Sequence, residues 1–158
     1  MSGKTITTRP ATMADFDSIV AFNRAMAFES ERKKLDPATI ADGVRNALRD
    51  RTRCMYFVAE IDGIAAGQTM VTFEWSDWRN GFFWWIQSVY VDSRFRRRGV
   101  FRALHAYIRD LAKSRPDVCG LRLYVHRDNT RAIETYKELG MSLTGYLLCE
   151  EHWSERGQ

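Results

Sequence analysis

Apolar residues recur along this chain at two spacings, and the switches between them mark out its elements. Phe16, Ile19, Val20 and Met26 follow at helical intervals behind Thr12-x-x-Asp15, a capping-box pattern in which two side chains satisfy free backbone donors at a helix start. Asp36-Pro37 announces a second helix, an N-cap followed by proline where no N–H is needed, with Ile40, Val44, Ala47 and Leu48 as its stripe. Ahead of both, Thr5 to Arg9 reads as a short strand. Met55 to Ile61 and Ile64 to Trp75 are separated only by Asp62-Gly63, a tight hairpin turn, and Asn80-Gly81 leads into Phe82 to Val91. Three consecutive antiparallel strands are expected there.

The period then lengthens again. Val100, Phe101, Leu104, Ile108 and Leu111 form a helical stripe directly after Gly99. Gly120 to Val125 reads as a strand. A helix carrying Ala132, Ile133, Tyr136 and Leu139 follows, capped by Asp128 or Asn129 and stopped by Gly140. Met141 to Glu150 is expected to close the fold as a last strand. These elements predict an α+β fold, a mixed and mostly antiparallel sheet with flanking helices. Without internal repeats, low-complexity stretches or linkers, residues 1–158 read as a single domain.

Composition narrows the function. With 45% hydrophobic and 13% aromatic residues the chain is too apolar for a disordered protein, and no run is long enough to suggest a membrane span. Met1-Ser2-Gly3-Lys4-Thr5 lacks the apolar stretch of a secretory signal, so a cytoplasmic location is expected. Cys54, Cys119 and Cys149 are scattered, and with His105, His126 and His152 they complete no zinc spacing, so no metal is expected. The net charge is +4, but Arg94, Arg96, Arg97, Arg98 and Arg102 fall within nine residues with no acid between them, and without those five the remainder is net −1. Basicity is thus one local feature. It favours a phosphate-bearing small molecule over nucleic acid, which needs basic residues spread along a surface.

That feature sits in Val89-Tyr90-Val91-Asp92-Ser93-Arg94-Phe95-Arg96-Arg97-Arg98-Gly99-Val100-Phe101-Arg102, a strand, a basic turn and a helix start. Unpaired N–H groups and the positive end of the helix dipole suit an anion there. Gly99 lets a phosphate approach the backbone, and the arginines add charge-assisted donors. No P-loop lysine pattern is present, so a pyrophosphate held rather than cleaved fits better.

Arg96-x-x-Gly99-x-Phe101 resembles the acyl-CoA loop of the GNAT acetyltransferases, whose usual pattern is Gln/Arg-x-x-Gly-x-Gly/Ala. Phe101 departs from the final small residue, which implies a loop locally more open or displaced. Asn129-Thr130-Arg131-Ala132-Ile133-Glu134-Thr135-Tyr136-Lys137-Glu138-Leu139-Gly140-Met141 is similar to the same family's Asn-x-x-Ala-x-x-x-Tyr-x-x-x-Gly-Phe/Met segment. The two blocks stand in the family's order. The resemblance implies acetyl-CoA as cosubstrate, held in a slot between two splayed central strands. Its pantetheine arm would lie along the main chain of Val89, Tyr90 and Val91. Its phosphates would lie at Arg96, Arg97, Arg98, Gly99, Val100, Phe101 and Arg102. Asn129 would contact the arm, and Tyr136 would place its phenol beside the leaving sulfur.

The reaction implied is attack of a primary amine, of a small molecule or peptide, on the thioester carbonyl. The family often carries a Glu or His at alternate positions before the pantetheine contacts, and here period-two counting finds Trp85 and Gln87, neither able to take a proton. A water chain ending on Glu74, Glu29 or Asp77 is then expected, with Glu74 first. The aromatic concentration Phe73, Trp75, Trp78, Phe82, Phe83, Trp84 and Trp85 puts one set opposite the core, to line an acceptor pocket or a homodimer contact. With Glu29 or Glu31, expected between the first two helices, Trp85 and Gln87 would shape a site for a cationic amine. A CoA-binding sensor that has lost turnover is the alternative function.

Overall fold

The computed structural model describes residues 5–153 of the chain, so the N-terminal segment read above lies, Thr5 apart, outside them. β1 (Ile6–Pro10) leads through a 3-10 turn (Met13–Asp15) into α1 (Phe16–Glu31), followed by α2 (Pro37–Arg49). Both helix starts use the expected caps. The Asp15 carboxylate accepts the Thr12 N–H at 2.8 Å while the Thr12 hydroxyl accepts from Ala14, and Asp36 accepts from the Thr39 N–H at 2.8 Å. β2 (Cys54–Ile61), β3 (Ile64–Ser76) and β4 (Gly81–Val91) form the antiparallel meander, then α3 (Val100–Lys113), β5 (Val118–Leu123) and α4 (Thr130–Glu138) follow.

The five strands make one sheet in the order β1-β2-β3-β4-β5, antiparallel except for the parallel pair β4 and β5. The fold is therefore the mixed α+β architecture that the sequence predicts. Val100, Leu104 and Ile108 of α3 bury their stripe against Phe57, Val71, Trp84 and Ile86 on one face of the sheet. On the other face Ile19 of α1 and Val44 of α2 pack with Tyr56 and Val58. Each such side chain contributes roughly 1.5–3 kcal/mol on full burial, which fixes both helix layers onto the sheet.

Three expectations need correction. Residues 141–153 form no strand. A strand needs a partner for its main-chain groups, and among the described residues this segment pairs with neither β5, the last strand of the sheet, nor any other strand. β5 itself begins and ends two residues early, because its ladder with β4 stops at Ile86 opposite Leu123. Glu29-Ser30-Glu31 is the last turn of α1 and not a loop between helices. The helix stops at Arg32, a left-handed C-cap at φ 56° that carries no glycine to announce it.

His105 of α3 is only 2% exposed, and neither ring nitrogen has a hydrogen-bond partner among the described residues. Burial, then the nearby Arg109 charge, lowers its pKa below the ordinary 6.5. The unfolded chain therefore binds the proton more readily than the folded one. Stability from this group is complete above about pH 6.5 and is lost as the pH falls toward the folded value. His105→Leu should flatten that acid limb, so that its Tm falls less than that of the wild type between about pH 7 and pH 5. Equal falls in thermal melts would assign the acid sensitivity elsewhere.

Candidate active site

β4 is paired with β3 from Gly81 opposite Ser76 to Val91 opposite Gly67, but with β5 only from Phe82 to Ile86. From Gln87 to Val91 it has no strand on that side. The two parallel strands thus part at Ile86, leaving the main chain of β4 beyond it unpaired along that edge.

A β-bulge sits at the same place. Gln87 lies opposite Met70 and Tyr90 opposite Gln68, with Ser88 at φ 50°. The extra residue inverts the alternation. Before it Trp84 and Ile86 face the α3 core, and after it Val89 and Val91 do. Trp85, Gln87 and Tyr90 therefore share the opposite face, and counting by twos back from Val89 and Val91 crosses a phase change at Ser88. Tyr90 leans on Phe22 of α1 with ring centroids 5.3 Å apart, and its hydroxyl donates to Glu29 at 2.9 Å.

Beyond Val91 the chain makes a short 3-10 turn (Ser93–Phe95) capped by Asp92, then passes through Arg97 at φ 63° and Gly99 at φ 83° into α3. The main-chain N–H groups of Arg97, Arg98 and Gly99 donate to no described residue. A Cβ at Gly99 would meet nothing within 4 Å, so this turn is a backbone cradle open on one side. The arginines divide into two groups. Arg94 pairs with Asp92, Arg102 with Glu138, and Arg96 with Glu29 and the Val91 carbonyl. Arg97 and Arg98 make no ion pair with a described residue, and Arg98 covers the Phe95 ring at 5.7 Å. Two guanidiniums and three amides around the cradle are thus without a partner among the described residues.

α4 brings Tyr136 to the same end of α3. Its ring meets Phe101 edge-on at 5.7 Å, and its hydroxyl bonds to no described residue. Burial pushes that phenol above its ordinary pKa, so it keeps its proton across neutral pH. Asn129 caps α4, its Oδ1 accepting the Ala132 N–H at 3.1 Å.

On the face shared by Trp85 and Gln87, Glu74 accepts from Arg122 Nη1 at 2.8 Å and, with its other oxygen, from the Trp85 indole. Arg122 lies 3.6 Å from the centroid of the Phe83 ring, and Trp85 stacks on Tyr124 at 4.4 Å. Gln87 donates to the Thr72 hydroxyl at 2.6 Å. Glu29 stands apart from this cluster, where the Arg96 guanidinium and then the Tyr90 hydroxyl hold it below the usual carboxylate range. Asp77 lies in the turn after β3, bonded to the Trp78 N–H. Arg122 and Tyr124 carry no motif; the register of Arg122 with Trp85 and the stacking of Tyr124 on Trp85 reveal them. A groove of about 650 Å³ does occur, but between α1 and the α1–α2 connection, away from the parting strands. Among the described residues no cluster of His, Cys, Asp and Glu could hold a metal ion, and no helix is long and apolar enough to cross a membrane.

The model of the acetyltransferase (GNAT) family matches residues 18–141. The chain belongs to the GNAT acetyltransferase family. A possible acetyltransferase from Clostridium difficile 630 is 41% identical, with a TM-score of 0.88 over 95% of this chain and 99% of that one. Two more distant structures share the GNAT fold. A predicted acetyltransferase with acetyl-CoA from Clostridium acetobutylicum is 18% identical, with a TM-score of 0.75 over 93% of this chain and 96% of that one. An aminoglycoside N-acetyltransferase in complex with CoA is 15% identical, with a TM-score of 0.77 over 96% and 97%. No curated protein matches the sequence.

Proposed function

We propose that this GNAT protein moves an acetyl group from acetyl-CoA to a primary amine of a small molecule or peptide, by direct attack of the amine on the thioester. The observation that carries the reading is a strand that loses its partner beyond Ile86 and runs straight into an open cradle of unpaired N–H groups at Gly99. An extended pantetheine arm fits the free edge of Val89 to Val91 as a strand would. A pyrophosphate fits the cradle, with Arg97 and Arg98 as its charged donors. The neighbours solved with acetyl-CoA and with CoA support this use of the slot.

Acetyl-CoA supplies the acetyl group as a thioester with a thiolate leaving group; what this chain supplies is positioning and protons. A main-chain N–H on the free edge of β4 is the donor suited to a developing oxyanion. Tyr136 holds its proton at neutral pH and has no partner for it among the described residues, which suits donation to the leaving sulfur. The amine must lose a proton, since free alkyl amines have pKa values near 10. Glu74 has a donor on each oxygen, and Glu29 is held as an anion, so Glu29 suits attraction of a cationic amine better than removal of its proton. A water chain to solvent, passing Gln87 and Thr72, is the route these side chains favour.

The test is a thiol-release assay with acetyl-CoA against polyamines, amino acids, aminoglycosides and peptide N-termini. Amine-dependent release with a matching mass increase of 42 Da on the acceptor, roughly the mass of an added acetyl group, is the expected result. Binding without release for every amine would leave a CoA-binding module.

Two substitutions probe the parts separately. Gly99→Val places a branched side chain at φ 83° in the open cradle, and should weaken acetyl-CoA at least about tenfold in calorimetry, or ~1.4 kcal/mol. Normal binding would remove the cradle from the site. Tyr136→Phe keeps the ring against Phe101 and removes only the hydroxyl. Acetyl-CoA binding should hold, while single-turnover transfer slows by about 10²-fold, the low end for proton transfer by a positioned side chain. Transfer within about threefold of wild type would make Tyr136 a packing residue.

A further inference from the structure

Behind the bulge in β4 lies a set of polar side chains in the interior of the protein. Asn23 of α1 is 4% exposed, Tyr56 of β2 is 7% exposed, and Gln68 and Thr69 of β3 are fully buried. The Gln68 amide donates to Asn23 Oδ1 at 3.2 Å and to the Ser88 carbonyl at 3.3 Å. Asn23 in turn donates to the Tyr56 hydroxyl at 3.1 Å. Beside them the Thr69 hydroxyl donates to the Gln87 carbonyl at 3.0 Å. One buried network thus joins α1, β2, β3 and the bulge.

Stability does not account for this choice of residues. Gln68 Oε1 is buried without a hydrogen-bond partner among the described residues. An apolar side chain of similar size would avoid that penalty. Departures of this kind from a well-packed core concentrate where function needs them.

The contacts of the network say what the need is. The register of β3 and β4 passes from Gln68 opposite Tyr90 to Met70 opposite Gln87, so Ser88 and Val89 have no paired residue in it. Successive carbonyls of a regular strand point to opposite edges. Here those of Gln87 and Ser88, neighbours in the chain, are both taken by side chains of β3. No peptide bond among the described residues is cis, so the Val89 N–H points opposite to the Ser88 carbonyl. With that carbonyl drawn toward Gln68, the N–H is turned away from β3, to the edge that β5 has left.

We infer that Gln68 and Thr69 are positioning residues for acyl-CoA. By holding the Ser88 and Gln87 carbonyls they fix the bulge, and with it the direction of the Val89 N–H on the free edge of β4. The inference rests on the reading of that edge as the seat of the pantetheine arm. Asn23 extends the same hold to α1.

Calorimetry well below the Tm compares acetyl-CoA with 3′-phospho-ADP, the phosphate-bearing half of CoA without its arm. Gln68→Met and Thr69→Val nearly keep the buried volume, and each removes the donor to one carbonyl. Each should weaken acetyl-CoA about tenfold, the scale of one hydrogen bond, and leave the arm-less ligand within about twofold of wild type. Thr69→Ser, which keeps the hydroxyl, should bind acetyl-CoA as the wild type does. Thr69→Val carries the test alone if Gln68→Met does not fold. A lower Tm with both affinities unchanged would make the two residues structural and overturn the inference. Equal losses for the two ligands would overturn it too, as would a Thr69→Ser variant as weak as Thr69→Val. A wild type that does not bind acetyl-CoA would overturn the reading of the edge itself, and this inference with it.

Discussion

Everything at the candidate site follows from where the main-chain hydrogen bonds of β4 run out. Each backbone N–H and C=O needs a partner or water, and one left buried without either costs roughly 1–3 kcal/mol. β4 meets that requirement on its β3 side from Gly81 to Val91 apart from the bulge at Ser88 and Val89, and on its β5 side only as far as Ile86. The stretch after Ile86 must therefore face solvent or accept a ligand that behaves like a strand. The bulge at Ser88 acts on the same stretch. It turns Val89 and Val91 into the α3 core, where they anchor the strand, and leaves Tyr90 to reach α1. A strand anchored on one face and unpaired along one edge is rigid and available together.

The arginine cluster then acquires an internal order. Pairs between exposed groups contribute about 0–1 kcal/mol, so Arg94–Asp92 and Arg102–Glu138 matter more for where they hold the chain than for stability. Arg96 is bound to the Val91 carbonyl and Glu29, and lies over the Tyr90 ring at 5.6 Å. It ties the end of α1 to the turn before α3. Glu29, on the side where a cationic acceptor is proposed, and the turn proposed for phosphate thus share one guanidinium. Arg97 and Arg98 keep their charge unspent beside the unpaired amides.

Much of this was legible where local chemistry spells out backbone geometry. Asp62-Gly63 and Asn80-Gly81 announce their turns, and Asp62, Gly63 and Asn80 do adopt positive φ. Thr12, Asp36 and Asn129 cap helices as their types suggest. Legibility fails where positive φ falls on residues that do not advertise it. Arg32 ends α1, Arg97 shapes the cradle and Ser88 makes the bulge, each without a glycine. The cost of an L-residue there is about 1–2 kcal/mol, which tertiary contacts cover without leaving a mark in the sequence. The partners of Glu74 were hidden for another reason. Arg122 comes within reach only through the parallel register of β4 and β5, a long-range fact that periodicity does not carry.

Phe101 links these arguments. The family pattern has a small residue there, and the larger side chain suggests a more open loop. In the folded chain its ring stands between Tyr136, at 5.7 Å, and His105, at 6.1 Å. It fills the gap between α3 and an α4 that has no buried residue of its own, so it is one of the few contacts that can orient the Tyr136 phenol. A helix so lightly held cannot fix a hydroxyl to within a fraction of an ångström by itself, which proton donation in a transition state requires. Packing and the proposed chemistry thus meet on one side chain: the Phe101 ring, lodged between His105 and Tyr136, is the contact that sets where the phenol stands.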